Sequence, residues 1–239
     1  MFGLAGSAAR PDIGVMLELT IIPVTPFQQN CSLILDTETK DAVLVDPGGE
    51  ADKIKAALEQ KGATLTQIWL THGHLDHAGA ADELREEFGV EVIGPHEDDQ
   101  FWMDEIGAHW ARYGHPGMGR DVVPDRYLKD GDTLTHVGVT FDVIHAPGHT
   151  PGHVVIANTD MKIAFVGDVI FAGSIGRTDF PKGNHPQLIE SIRTKLFPLG
   201  DDMRFIPGHG PASTFGRERQ SNPFVGDHAT KGANTSGPG

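Results

Sequence analysis

The feature that most constrains the fold is a run of short apolar segments followed by a helical segment, which occurs once in each half of the chain. Runs rich in Val, Ile and Thr and bounded by Gly, Pro and Asp are typical of β-strands. They cover 17–24, 31–37, 42–47, 67–72 and 90–94 in the first half, and 134–147, 153–158, 162–168 and 204–209 in the second. Segment 134–147 includes a hairpin turn near Gly138.

Helical periodicity appears in three segments, 50–62, 78–89 and 185–197. In the first of them Ile54, Ala57 and Leu58 share one face. Strands followed by a helix, repeated twice, predict an α/β protein with an αββα four-layer sandwich. In this fold two mixed sheets pack face to face and the helices lie outside.

The length and composition predict one domain. The chain has 239 residues and is 38% hydrophobic, which is enough for a continuous core. We assign the domain to residues 16–225, with a disordered leader at 1–15 and a disordered tail at 226–239. Segment 95–130, rich in Trp, Gly and Pro, has two interpretations: a helix and loop that cover the edge of the core, or a substrate lid.

Charge and targeting signals narrow the classes of function. The formal net charge of −14 repels phosphate backbones, which argues against nucleic acid as a partner. The single cysteine, Cys31, allows no intramolecular disulfide and is expected to be a buried strand residue. The sequence has no signal-peptide pattern and no apolar stretch of the roughly 20 residues that span a membrane. We therefore expect a cytoplasmic protein, and the sequence leaves its oligomeric state open.

Potential metal ligands stand at four places where an apolar strand ends beside glycine or proline. Such strand-to-loop corners commonly carry functional sites in sheet proteins. The residues are His72, His74, Asp76 and His77 in "THGHLDHAG", His149 in "APGHTPGH", Asp168 in "FVGDVI", and His209 in "IPGHG".

Seven ligands are too many for one Zn²⁺-like ion, which binds four groups and leaves one position to water in a catalytic site. We therefore predict two divalent ions, zinc in the first instance, with iron or manganese as alternatives. Two ions about 3.5–4 Å apart share a water and lower its pKa, which supplies a bridging hydroxide as nucleophile. Asp168 and Asp76 are the predicted catalytic carboxylates, and Asp76 also accepts the proton of the attacking water. The first ion is assigned to His72, His74 and His149, the second to Asp76, His77 and His209, and Asp168 bridges them.

Two further residues are expected to support the ligands. Asp46 in "LVDPGG" is either a turn aspartate at a strand end or the acceptor that orients a ligand imidazole, and we favour the second interpretation. His153 is expected either to contact the ligand residues without binding the metal itself or to be structural. The remaining histidines have no neighbouring ligands in the sequence and receive no role.

The segments "THGHLDHAGA", "APGHTPGHVV", "FVGDVIFAGSIGRTDFPKG" and "FIPGHG" resemble the signatures of the metallo-β-lactamase superfamily. Within it they resemble the glyoxalase II (hydroxyacylglutathione hydrolase) group over about residues 17–215. The resemblance implies the αββα sandwich, a binuclear centre with the ligands above, and hydrolysis of a glutathione thioester such as S-lactoylglutathione, a step of methylglyoxal detoxification. The bridging Asp168 and the absence of a ligand cysteine make β-lactam hydrolysis a minor alternative.

The chain departs from two-domain glyoxalase II enzymes at its end. Only 30 residues follow His209, too few for the helical domain that binds glutathione in those enzymes, and we therefore expect a protein that resembles the short one-domain bacterial forms. We expect Arg177, Lys182 or the aromatic segment 101–113 to hold the substrate. The planar fork of Arg177 suits a carboxylate, although a structural salt bridge is the alternative role.

Three competing functions remain open at this point. The first is a mononuclear iron persulfide dioxygenase of the same fold, which uses the equivalents of His72, His149 and Asp168 and acts on glutathione persulfide. The context "IPGHG" around His209 favours the hydrolase. The second is a hydrolase of another ester or thioester. The third is a non-catalytic binding module, against which the intact set of ligands argues.

Overall fold

The computed structural model describes residues 2–4 and 16–229. The strands are β1 (Phe2–Leu4), β2 (Leu17–Val24), β3 (Gln29–Asp36), β4 (Asp41–Val45), β5 (Thr64–Trp69), β6 (Glu91–Ile93), β7 (Thr133–His136), β8 (Val139–His145), β9 (Val154–Asn158), β10 (Ile163–Gly167), β11 (Ile170–Phe171), β12 (Ser174–Ile175), β13 (Arg204–Pro207) and β14 (Ser213–Thr214). The helices are α1 (Ala51–Lys61), α2 (Leu75–Ala78), α3 (Ala81–Phe88), α4 (Gln100–Met103), α5 (Ile106–Arg112), α6 (His185–Ser191) and α7 (Phe215–Ser221). Short 3₁₀ turns at Glu97–Asp99 and Phe197–Leu199 and a π-helical turn at Ile192–Leu196 complete the elements.

The strands form two six-stranded mixed sheets and a small ribbon. The first sheet has the order β1-β2-β3-β4-β5-β6, the second has the order β14-β13-β10-β9-β8-β7, and β11 pairs with β12. The parallel pairs are β4 with β5, β5 with β6, and β10 with β13, and the other pairs are antiparallel.

Three separate layers of buried side chains show how the sheets and helices stack. Successive residues of a strand point to opposite faces, so Val154 and Ile156 of β9 face the first sheet, whereas Val155 and Ala157 face the helices. One layer lies between the two sheets, and the others lie between each sheet and its helices. This arrangement confirms the predicted αββα sandwich.

Segment 95–130 covers the first sheet. Met103, Ile106 and Trp110 are buried in the layer that α1 and α3 share with that sheet. Helices α4 and α5 therefore extend the outer helical layer, as the covering interpretation predicted. None of the helices in the described part of the chain has the length and apolar content that crossing a membrane requires.

Several element boundaries differ from the sequence expectation. The segment predicted as one helix at 185–197 is α6 followed by π and 3₁₀ turns, and the segment at 78–89 is α3 preceded by the single turn of α2. Strands β1, β11, β12 and β14 have two or three residues, too few for a periodic pattern, and α7 is mostly polar. Three residues of the predicted disordered leader form β1. The rest of that leader, and tail residues 230–239, lie outside the described residues.

The topology brings the predicted ligands to one edge of the sandwich. His72 follows β5 of the first sheet, and helix α2 comes directly after that loop. His149 lies in the connection between β8 and β9, Asp168 follows β10, and His209 follows β13, all in the second sheet. The site therefore takes side chains from both sheets.

Candidate metal centre

The three histidines assigned to the first ion point their ring nitrogens at one another. His72 Nε2 lies 3.1 Å from His74 Nδ1, and His149 Nε2 lies 3.0 Å from the same atom. Two ligands of a tetrahedral Zn²⁺ at bonds of 2.0–2.1 Å are about 3.3 Å apart. The three nitrogens, buried to 6% exposure or less, therefore have the spacing of one face of a tetrahedral site.

The second group lies next to the first. His209 Nε2 is 3.2 Å from Asp76 Oδ2. The ligand atoms of Asp76, His77 and His209 all lie within 4.8 Å of one another. Helix α2 provides Asp76 and His77, and the ligand atoms of both lie near His209.

Asp168 stands between the two groups. Its Oδ1 is 3.4 Å from His77 Nε2, and its Oδ2 is 3.7 Å from His149 Nε2 and 3.6 Å from His209 Nε2. One carboxylate thus contacts the histidines of both groups, which is the position that a bridging ligand requires. The structure brings together all seven side chains that the sequence singled out.

Unsatisfied polar atoms in the second group fit a cation. His77 Nε2 and Asp168 Oδ1 are buried and neither makes a hydrogen bond within the described residues. Buried polar atoms are normally paired, so two such atoms facing each other require an explanation. A Cβ at Gly208 would lie 2.1 Å from Asp168 Oδ1 and 2.4 Å from His77 Cε1, so the chain keeps this space free of side chain. The donor set, imidazole nitrogen and carboxylate oxygen, is the one that zinc-like ions take.

The pKa values of the histidines shift in opposite directions in the two groups. Burial lowers the pKa of His72, His74 and His149, which keeps them in the neutral form that binds metal. Burial also acts to lower the pKa of His77, but the carboxylates of Asp168 and Asp76 outweigh it and raise that pKa well above its ordinary value. The second group is therefore the more cation-attracting of the two.

Hydrogen bonds fix the orientation of the ligand rings. Asp46 Oδ2 lies 2.9 Å from His77 Nδ1, and Asp46 accepts from the backbone N–H of Thr71 at 2.7 Å and from its hydroxyl at 2.6 Å. An Asp46–His72–His77 grouping is also close enough to hold an ion. Because the oxygens of Asp46 are occupied by Thr71 and His77, we interpret Asp46 as a hydrogen-bond partner of the ligands.

Backbone carbonyls orient two other ligands. His149 Nδ1 donates to the carbonyl of Arg177 at 2.7 Å, and His209 Nδ1 donates to that of Phe27 at 3.1 Å. Each bond leaves Nε2 turned toward the centre, since a ring nitrogen that donates fixes the tautomer. His153 lies behind the centre, where its Nε2 accepts the backbone N–H of Asp168 at 3.0 Å and its ring stacks on His72.

The two predicted substrate contacts lie at the rim and differ in their partners. Arg177 makes a two-point hydrogen bond with Asp179, at 2.7 and 2.6 Å, and lies over the ring of Phe180. Lys182 Nζ lies 3.9 Å above the ring of Phe101, and no carboxylate among the described residues pairs with it. The structural salt bridge considered for Arg177 is thus present.

Phe180 and Asp99, both near the centre, received no role from the sequence, whereas Trp102 belongs to the aromatic segment 101–113 that was expected to hold the substrate. The edges of Phe180 and Trp102 contact the ring of His74, with centroids 5.2 and 4.6 Å away. Asp99 is buried, although its acidic run "EDD" looks like solvated surface. Thr71, which donates two hydrogen bonds to Asp46, carries one local signal, because it directly precedes His72 in the sequence.

Comparisons with known proteins agree with this geometry. The sequence profile of the metallo-β-lactamase superfamily matches residues 24–209. The hydroxyacylglutathione hydrolase GloC of Haemophilus influenzae is 49% identical over 210 residues, which cover 87% of this chain and 98% of that protein. The structure of the B3 metallo-β-lactamase BLEG-1 matches with a TM-score of 0.80 at 36% identity, over 87% of this chain and 99% of its own. TTHA1623, solved in a di-iron-bound form, matches with a TM-score of 0.77 at 34% identity, over 86% of this chain and 99% of its own.

Proposed function

The chain belongs to the metallo-β-lactamase superfamily and is a metallohydrolase of this group, and from this we propose that it cleaves the thioester of S-lactoylglutathione or another hydroxyacylglutathione. The observation that carries the proposal is a second complete ligand group, Asp76, His77 and His209, joined to the first by Asp168, because the rival dioxygenase needs only one metal. The relative at 49% identity bears the name of this activity. Such a substrate belongs to the reducing cytoplasm, and we propose that location.

We propose that two divalent ions complete the site. His72, His74 and His149 would hold one ion, and Asp76, His77 and His209 the other, with Asp168 between them. When bound, such ions lower the pKa of water toward neutrality and stabilise the negative charge that develops on a carbonyl oxygen. Zinc is our first choice of metal, and the di-iron form of TTHA1623 supports iron as an alternative.

The carboxylates of the chain have distinct roles in this proposal. Asp168 fixes the spacing of the two groups, and Asp76, 3.2 Å from His209 Nε2, accepts a proton from the attacking water. The leaving group is a thiolate, whose conjugate acid has a pKa of about 8.5 in the cysteine reference. Such a group departs without a strong general acid, which fits a centre whose carboxylates are all engaged with histidines.

The rim contacts point to Lys182 as the better anchor for a substrate carboxylate. The guanidinium of Arg177 is held by Asp179, and the hydrogen bond from Arg177 lowers the pKa of Asp179 to about 2. Arg177 must therefore break its ion pair with Asp179 before it can bind a substrate carboxylate. Lys182 has no ion pair to break among the described residues. Phe180 and Trp102, beside His74, would pack against the acyl group.

The test is the rate of glutathione release from S-lactoylglutathione by the metal-loaded protein, with Asp168→Ala as the inactive control. We expect Lys182→Ala to raise KM about 2–5-fold, the effect of one exposed ion pair, and to leave kcat unchanged. Lys162→Ala, at the opposite end of β10, is the matched control. Absence of thioester turnover in a fully metallated sample would overturn the proposal. Oxygen consumption with glutathione persulfide would then favour the dioxygenase, and turnover of a β-lactam would favour the lactamase.

A further inference from the structure

Asp99 is a fully buried carboxylate that hydrogen-bonds to two loops carrying the proposed ligands. It ends the 3₁₀ turn Glu97–Asp99. Its Oδ2 accepts the backbone N–H of Gly73 at 2.9 Å and the hydroxyl of Thr150 at 2.7 Å. Its Oδ1 accepts the backbone N–H of Gly152 at 2.6 Å.

The two loops belong to different sheets. Gly73 lies between His72 and His74, in the loop that follows β5 of the first sheet. Thr150 follows His149, in the connection between β8 and β9 of the second sheet. The spacing of the first ligand group therefore depends on how closely these loops are held together, and the side chain of Asp99 bonds to both.

The contact needs a carboxylate. An ionised aspartate only accepts hydrogen bonds and has sites for about four of them, and here it meets three donors. In either orientation of its amide, an asparagine in the same place would point its NH₂ group at a backbone N–H, so that two donors would face each other. The approach is also close, because a Cβ at Gly152 would lie 2.7 Å from Asp99 Oδ1.

Stability alone does not account for this carboxylate. Burial raises the pKa of Asp99 to about 6, against the opposing effect of its three hydrogen bonds. A buried charge without a cationic partner is costly, and no ion pair with Asp99 exists among the described residues. Because the Asp99 carboxylate bonds to both loops that carry the proposed ligands, its role in holding those loops explains why the chain keeps a buried charge here.

We propose that Asp99 is a positioning residue, which holds the loop of His72 and His74 and the loop of His149 at the spacing that a metal ion requires. The inference rests on the proposed metal-binding role of these three histidines. Asp99 contacts neither substrate nor metal in this account. Its loss lets the two loops move apart, which lowers the affinity for the ion and the rate of the chemical step.

The test is a Co²⁺ titration of the metal-free protein, followed by the visible absorption of the bound ion. We expect Asp99→Asn to weaken binding at the three-histidine site about 10–100-fold, as loss of hydrogen bonds that support metal ligands does, and to change the absorption bands. Asp98→Asn is the matched control, because it removes the same charge from a neighbouring side chain that is 57% exposed, and it should bind as the wild type does. The readout uses no thioester, so it is independent of the substrate assignment.

A second variant, Thr150→Val, keeps the inference testable if Asp99→Asn does not fold. It removes one hydroxyl and one hydrogen bond without a change of shape, and we expect up to about tenfold weaker binding. In the folded variants kcat for the thioester should fall and KM should stay constant. Wild-type Co²⁺ affinity and absorption in every variant that folds would overturn the inference.

Discussion

Replacement of Gly208 by alanine should disable the second metal site selectively. The added Cβ would lie 2.1 Å from Asp168 Oδ1, and real Cβ atoms essentially never come within 3.0 Å of another heavy atom, so the carboxylate must retreat by about 0.9 Å. Two hydrogen bonds restrain the backbone at this position. The N–H of Gly208 donates to Gly167 and its carbonyl accepts from Asn30, both at 2.7 Å. Metal–ligand distances tolerate only about 0.2 Å of deviation, so the bridging position is lost.

The assay is a Zn²⁺ titration of the metal-free protein in competition with a chromophoric chelator, with circular dichroism to confirm the fold. We expect the wild type to bind two ions. Gly208→Ala should bind one ion with nearly normal affinity and the second at least about 100-fold more weakly. Gly107→Ala is the control, because its Cβ would have ordinary contacts, the nearest 3.6 Å away. Two ions of unchanged affinity in Gly208→Ala would refute the position assigned to Asp168.

Three further predictions concern the rest of the molecule. Burial raises the pKa of the Cys31 thiol, so a thiol reagent should label Cys31 only after denaturation, and rapid labelling of the native protein would contradict its buried place. Burial also lowers the pKa of His136, so the contribution of this histidine to stability is present above the unfolded pKa of about 6.5 and is lost as the pH falls. In urea unfolding, the wild type should therefore lose more stability than His136→Leu between neutral pH and about pH 5.5. Equal losses in the two proteins would contradict this. Phe141 is 1% exposed and lies between the two sheets, with its ring centroid 5.3 Å from that of Trp69. Phe141→Ala should therefore reduce the free energy of unfolding by about 3–5 kcal/mol. A loss below about 1 kcal/mol would show that this layer packs loosely.

The fold was predictable because its pattern repeats and its strands are long enough to show it. Nine apolar segments predicted as strands each contain strands in the structure, and the turn at Val137–Gly138 separates β7 from β8 as expected. The elements that were not predicted correctly have no local signal in the sequence. A two-residue strand such as β14 has no periodicity, and the apolar spacing of 185–197 does not show the change from α to π geometry at Ile192.

The metal ligands were predictable for a different reason. The ligands lie in the loops and the short helix α2 that follow strands, and strand ends from both sheets meet at one edge, so sequence position carried spatial information. The supporting residues had no such signal. Asp99 lies in an acidic run typical of solvated surface, and only the folded chain shows that Gly73 and Thr150 meet it. Likewise, the pairing of Arg177 with Asp179, two positions away, was open in the sequence and is decided by geometry.

The most direct test of the central proposal is the rate of S-lactoylglutathione hydrolysis as metal is added back to the metal-free protein. We expect activity to rise until two equivalents of divalent metal are bound, and Asp168→Asn, which removes the bridging charge, to lose more than about 100-fold in kcat at full loading. Absence of hydrolysis with two ions bound would contradict the proposal. Full activity with a single iron and consumption of oxygen would contradict it as well.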